Sequence, residues 1–226
     1  MFWLFYPERL LLLLPALALA MYASYRVRST YAKYMQVSTQ YRVTAAQAAE
    51  ELLGRAGVQG VKIEGISRTL GDHYDPRSKT LRLSAPTSTS VAAVGVAAHE
   101  AGHAIQHARG YAPLALRTAV VPVASFGSQL AFPLFFIGLL FRADFLLNLG
   151  IILFAAAVLF TLITLPVEFN ASRRAVAALA TTGMVTREEV GAVKEVLTAA
   201  ALTYVASAAM AALQLISMLL IAGRRR

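Results

Sequence analysis

The sequence predicts a mainly α, multipass membrane protein with a small α/β layer. Three features of composition and one of patterning predict it. Hydrophobic residues make up 58% of the chain and charged residues 15%, and the mean hydropathy is +0.59; this is the composition of a membrane protein. The apolar residues gather into four runs that can cross a bilayer, at about 10–25, 119–141, 145–166 and 197–222. Residues 26–118 and 167–196 hold the polar remainder.

The elements follow in chain order. Leu10 to about Tyr25 continues an apolar start broken by Pro7-Glu8-Arg9. A bilayer takes about 20 residues, so this run either recruits part of Phe2 to Tyr6 or begins at the interface. It has no basic leader and reads as a retained anchor, not a signal peptide. Thr44-Ala45-Ala46-Gln47 is a capping box, opening a helix that carries Glu50 and Glu51 on its solvated side. Val61 to Ile66 is strand-like. Ile66 to Tyr74 and Lys79 to Ser84, around Asp75-Pro76-Arg77-Ser78, are expected to form a hairpin.

A helix is expected from about Ser88 to Arg109. The second span contains Pro122, Ser125, Ser128, Gln129 and Pro133, as a span packed on other helices does. The third ends at Leu165-Pro166-Val167-Glu168, where the proline suits a new helix start. Thr186-Arg187-Glu188-Glu189 begins a helix that runs into the fourth span. Neither an internal repeat nor a linker divides the chain, so residues 1–226 are expected to form one integrated unit.

Four spans put both termini on one side and residues 26–118 and 167–196 together on the other. That second side holds 16 of the 21 Lys and Arg residues, leaving only Arg9, Arg142 and the Arg224-Arg225-Arg226 tail opposite. The positive-inside rule makes it cytoplasmic, against the single contrary signal of the tail. The net charge of +9 is thus mainly a topology signal that also suits anionic lipid, and no nucleic-acid patch is expected. Without cysteine there are no disulfides or thiolate metal sites.

His99-Glu100-Ala101-Gly102-His103 carries the chemistry. On a helix, residues i and i+4 share a face, so both imidazoles can reach one metal ion with Glu100 beside its open position. Zinc with three protein ligands keeps a fourth site for water, whose pKa falls to about 7, and a glutamate can take its proton. Of the four histidines, His99, His103 and His107 fall at successive i+4 steps of one apolar helix. Such residues on an alanine-rich helix cost burial energy unless paired or metal-bound. His107 sits about 12 Å along the axis from His99, too far to share the ion, and is expected at the surface or behind the ligands. A third histidine six residues after the second would fall at Arg109, so a distant ligand is needed.

With Glu100 assigned as the base, elimination among the twelve acidic residues leaves Asp72, Asp75 and Glu168. Glu8 and Asp144 lie on the wrong side, Glu50, Glu51, Glu188, Glu189 and Glu195 belong to helices, and Glu64 lies in a strand-like stretch. Glu168 is the best candidate because it stands where the third span meets the active side. Its competing role is an ion pair with Arg173 or Arg174 near a helix start.

Taken together, Asp72-His73-Tyr74-Asp75-Pro76, Leu81-Arg82-Leu83-Ser84, Ala97 to Gln106, Pro166 to Ala175 and Ala200 to Val205 resemble the YugP-type neutral zinc metallopeptidases. These are multipass bacterial membrane proteins, more distantly similar in layout to HtpX-like and CAAX prenyl proteases. The resemblance implies a zinc-dependent endopeptidase with His99, His103 and Glu168 as ligands, Glu100 as general base and one zinc ion per chain. An aspartate that often follows the ligand glutamate by four residues is replaced here by Ser172; Asn170 is a second candidate for orienting a histidine. His73 or Tyr74 is a candidate oxyanion donor, although both also suit ordinary turn positions. Tyr204 is expected to be an interfacial or packing residue.

The expected function is hydrolysis of membrane or membrane-proximal polypeptides in the cell membrane, with quality control as one setting. An intramembrane protease would place the histidine motif inside a span and take an aspartate from a later Asp-Gly pair, which is absent. A metal-stabilised scaffold or chaperone would need the ligands but not Glu100.

Overall fold

The computed structural model describes residues 7–223, and the expected roles of Phe2 to Tyr6 and of the Arg224–Arg226 tail lie outside the described residues. The described residues form six helices and three short strands. Helices α1 (Pro7–Met35), α2 (Ala45–Arg55), α3 (Val91–Ala108), α4 (Ala112–Leu140), α5 (Asp144–Thr182) and α6 (Arg187–Gly223) make the protein mainly α; β1 (Lys62–Gly65), β2 (His73–Asp75) and β3 (Thr80–Leu83) form one small sheet. Four helices, α1, α4, α5 and α6, are long and apolar enough to cross a membrane.

By contacts the chain divides into two units. Of the described residues, one comprises 7–24, 116–166 and 202–223, and the other 25–115 and 167–201. In the first, Phe135, Leu147, Ile151, Phe154, Val158 and Met218 form a buried apolar cluster. Here α4 and α5 come very close: a Cβ built on Gly150 would stand 2.6 Å from the Phe135 backbone nitrogen. Any side chain at position 150 would hold the helices apart, the usual reason for small residues where membrane helices touch.

The second unit holds the sheet and α2 and α3. Strand order is β1-β3-β2. β2 pairs antiparallel with β3, Tyr74 opposite Leu81, and β1 pairs parallel with β3, Ile63 opposite Leu81. The expected hairpin is present but its first arm is shorter than Ile66 to Tyr74, because residues 66–72 are not strand. Asp72 explains the late start: its carboxylate accepts hydrogen bonds from the Ser84 backbone N–H and hydroxyl, both at 2.8 Å, fixing the incoming chain beside the end of β3. The turn is closed by Asp75, which accepts from Arg77 N–H at 3.0 Å and from the Ser78 hydroxyl at 2.8 Å.

Leu52, Leu81, Leu83, Val91, Val94, Leu179 and Val193 make the core of this unit. Burying each is worth about 1.5–3 kcal/mol. Thr44 and Gln47 form the expected capping box of α2, and Thr186 with Glu189 does the same for α6: the Thr186 N–H donates to the Glu189 carboxylate at 2.7 Å and the Glu189 N–H to the Thr186 hydroxyl at 3.2 Å. The expected metal-motif helix is α3, capped by Ser90.

One element differs from expectation. Pro166 does not start a helix; α5 runs through it from Asp144 to Thr182. Proline there removes a single backbone donor, a loss that membrane helices tolerate. The residues after it continue the same helical pattern, with Val167, Ala171, Ala175 and Leu179 buried one turn apart.

Candidate metal centre

The site is built on α3 and on the part of α5 that begins at Val167, both in one unit. α3 is made of alanine, glycine and valine on most sides, so neighbouring helices approach its backbone closely. Gly102, inside the histidine motif, marks the nearest approach: a Cβ there would stand 2.8 Å from the backbone carbonyl oxygen of Ala171. Only glycine lets α5 come this near, and that approach carries Glu168, three residues before Ala171, to the histidines.

His99, His103 and Glu168 converge. The His99 and His103 Nε2 atoms are 3.2 Å apart, His99 Nε2 is 3.2 Å from Glu168 Oε2, and His103 Nε2 is 3.5 Å from the same oxygen. Ligand atoms at the corners of a tetrahedron around an ion with bonds of about 2.0 Å lie about 3.3 Å apart, so the three fit a zinc ion on their spacing alone. The Glu168 and His103 side chains are 3% and 10% exposed, which keeps competing water from most of the cluster.

The groups behind the histidines point their free nitrogens inward. Gln106, fully buried, donates from its amide nitrogen to the Val167 carbonyl and to Asn170 Oδ1, both at 2.9 Å. A carbonyl can only accept, so the amide cannot be flipped, and its oxygen must face His103 Nδ1 at 3.0 Å. Nδ1 therefore carries the proton and donates it to Gln106, leaving the Nε2 lone pair free for an ion. Asn170 is held in turn by Arg174, whose Nε donates to the same Oδ1 at 2.7 Å. Ser172 Oγ stands 3.1 Å from Nδ1 of His99, the matching position on the other ring.

Electrostatics favours positive charge at this place. Burial pulls the His103 imidazole down, but the Glu168 and Glu100 carboxylates and Gln106 outweigh it and leave it raised above its ordinary value. Glu100 is itself buried, 8% exposed, and among the described residues it makes no hydrogen bond or ion pair. It stands beside the cluster without being engaged in building it.

The remaining candidates lie elsewhere. Asp72 and Asp75 are occupied at the sheet, as described. His107 is at the surface, its Nδ1 2.9 Å from the Tyr74 hydroxyl. His73 Nδ1 is 2.8 Å from the Gly71 carbonyl oxygen. Neither His73 nor Tyr74 joins the cluster. Of the two residues considered for orienting a histidine, Ser172 does so directly and Asn170 through Gln106. Sequence reasoning passed over Gln106, and the signal was there: a polar amide three residues after His103, on a helix otherwise apolar around it.

Comparison with known proteins adds an independent result. A family described as "Putative neutral zinc metallopeptidase" matches residues 9–223. A protein of Bacillus subtilis (strain 168) described as "Putative membrane protease YugP" is 43% identical over 212 residues, covering 93% of this chain and 94% of its own. No solved structure matches the chain.

Proposed function

This chain belongs to the neutral zinc metallopeptidase family and is a membrane protein, and from that premise we propose that it is a zinc-dependent endopeptidase in which His99, His103 and Glu168 hold one zinc ion and Glu100 is the general base. The observation that carries the proposal is the convergence of three ligand atoms 3.2–3.5 Å apart beside Glu100, a buried residue that makes no hydrogen bond or ion pair among the described residues. Zinc bound there supplies Lewis acidity, polarising a carbonyl and bringing the pKa of water near 7.

Glu100 takes the proton from the attacking water as the oxygen joins the scissile carbonyl carbon. It then returns that proton to the departing amine, so the C–N bond breaks to give a carboxyl and an amino terminus. Gln106 and Ser172 keep the histidine rings oriented throughout, each held from its Nδ1 side. A scaffold that only stored zinc would have no use for an unengaged Glu100, and this favours the enzyme.

The proposed substrates are polypeptides in or near the membrane, with membrane-protein quality control as the setting, and no nucleic acid. The proposed orientation places residues 26–118 and 167–196 in the cytoplasm, on the strength of their 16 Lys and Arg residues. The test is cleavage of an unfolded protein by the purified wild type and by Glu100→Gln at equal zinc content. The variant is expected to be slower by about 10²- to 10⁴-fold. Equal rates in the two would refute the role of Glu100.

A further inference from the structure

A groove of about 540 Å³ runs between α5 and α6 in the same unit as the metal cluster. Its walls are apolar, with Phe169, Val176 and Leu197 among them, and it carries two cations, Arg173 and Lys194. Ser172 lines it too, and its hydroxyl stands 3.1 Å from His99 Nδ1. The groove therefore begins directly behind one histidine of the cluster. Among the described residues neither Arg173 nor Lys194 forms an ion pair.

Unpaired cations on an apolar trough call for an occupant that is apolar in its body and anionic beside it. We propose that this groove selects the polypeptide substrate: it takes a large apolar side chain, while Arg173 and Lys194 hold a carboxylate on a neighbouring residue. This rests on the peptidase reading and goes beyond it by naming the class of sequence preferred. Charge complementarity supplies the acidic requirement, and Ser172, shared between the groove and the Nδ1 side of His99, ties the occupant to the helix face that carries the cluster. A rim charge pair changes affinity by a few-fold, so the two cations together favour an acidic over a basic neighbour by about tenfold once repulsion of the basic one is included. Filling the trough with a leucine in place of alanine is worth about tenfold more.

The test measures binding without turnover, using the full chain in detergent, zinc-loaded and carrying Glu100→Gln so that peptides persist. Fluorescent Gly/Ser-rich peptides containing Leu-Glu-Glu, Leu-Lys-Lys or Ala-Glu-Glu are titrated by anisotropy. The expected order is Leu-Glu-Glu tightest, about tenfold ahead of each of the others. Lys194→Glu should bring the acidic-to-basic ratio to one or below. Ala177→Trp, at an exposed position lining the groove, should erase the advantage of Leu over Ala. Equal affinities for the three peptides, or ratios unmoved by both substitutions, overturn the proposal. So does loss of binding to phosphatidylglycerol vesicles in Lys194→Glu with peptide ratios near one, which would make the groove a lipid site. The peptidase reading is scored separately by zinc-dependent cleavage in the chain that retains Glu100. Peptide selectivity without cleavage would refute that reading alone, and cleavage without selectivity would refute the groove alone.

Discussion

The side-chain amide of Gln106 has no freedom of orientation, and this decides the state of His103. With its nitrogen committed to the Val167 carbonyl and Asn170, its oxygen accepts from Nδ1, and the metal-facing nitrogen is left as a lone pair. Gln106→Leu removes that constraint and leaves the buried His103 Nδ1–H without its acceptor. Zinc affinity is expected to fall about 10- to 100-fold, with a loss of about 1–3 kcal/mol in folding stability. Competition with a chromogenic chelator and thermal unfolding would read the two effects, and unchanged zinc affinity would show that the tautomer is set by something else. That His99 and His103 come together is legible in the sequence, because residues four apart on a helix share a face. Gln106 is not, since its role depends on Val167 and Asn170, some sixty residues further along the chain.

At the level of elements, the site is a contact between α3 and α5 that one glycine permits. Gly102→Ala would place a methyl group against the Ala171 carbonyl, where backbone and not a flexible side chain must give way. The helices separate by a few tenths of an ångström or more, at a cost of about 1–3 kcal/mol, and Glu168 moves off the histidines with α5. The expected result is a folded protein with markedly weaker zinc binding, measurable by metal content after dialysis; full zinc retention would show that the approach is not needed. The identity of Glu168 as the distant acidic partner was reachable by elimination, but its route was misread. A proline at position 166 locally suits a helix start, whereas the apolar stripe of Val167, Ala171, Ala175 and Leu179 packs against the core and keeps α5 in one piece. Local signals describe the chain's preferences at Pro166 and do not contain the packing that overrides them. The hairpin shows the same limit at Asp72, whose hold on Ser84 decides where β2 begins.

For the whole molecule, composition carried most of the reading. Four apolar runs became four long helices, because a bilayer demands continuous backbone hydrogen bonding over about 20 residues and leaves little room for other solutions. The proposed orientation rests on the distribution of Lys and Arg and is open to direct test, since the chain has no cysteine. Arg77→Cys places a single thiol on the exposed turn between β2 and β3. In bacterial spheroplasts it is expected to resist a membrane-impermeant maleimide until the membrane is permeabilised; labelling of intact spheroplasts would reverse the orientation. The two histidines, Glu168 and the groups behind them bear on one central claim, that the chain holds zinc through a ligand brought from a distant helix. Zinc content of the purified full chain, wild type against Glu168→Ala, tests it most directly. One zinc ion per chain is expected in the wild type and little in the variant under the same dialysis, whereas equal zinc in both would contradict a ligand role for Glu168.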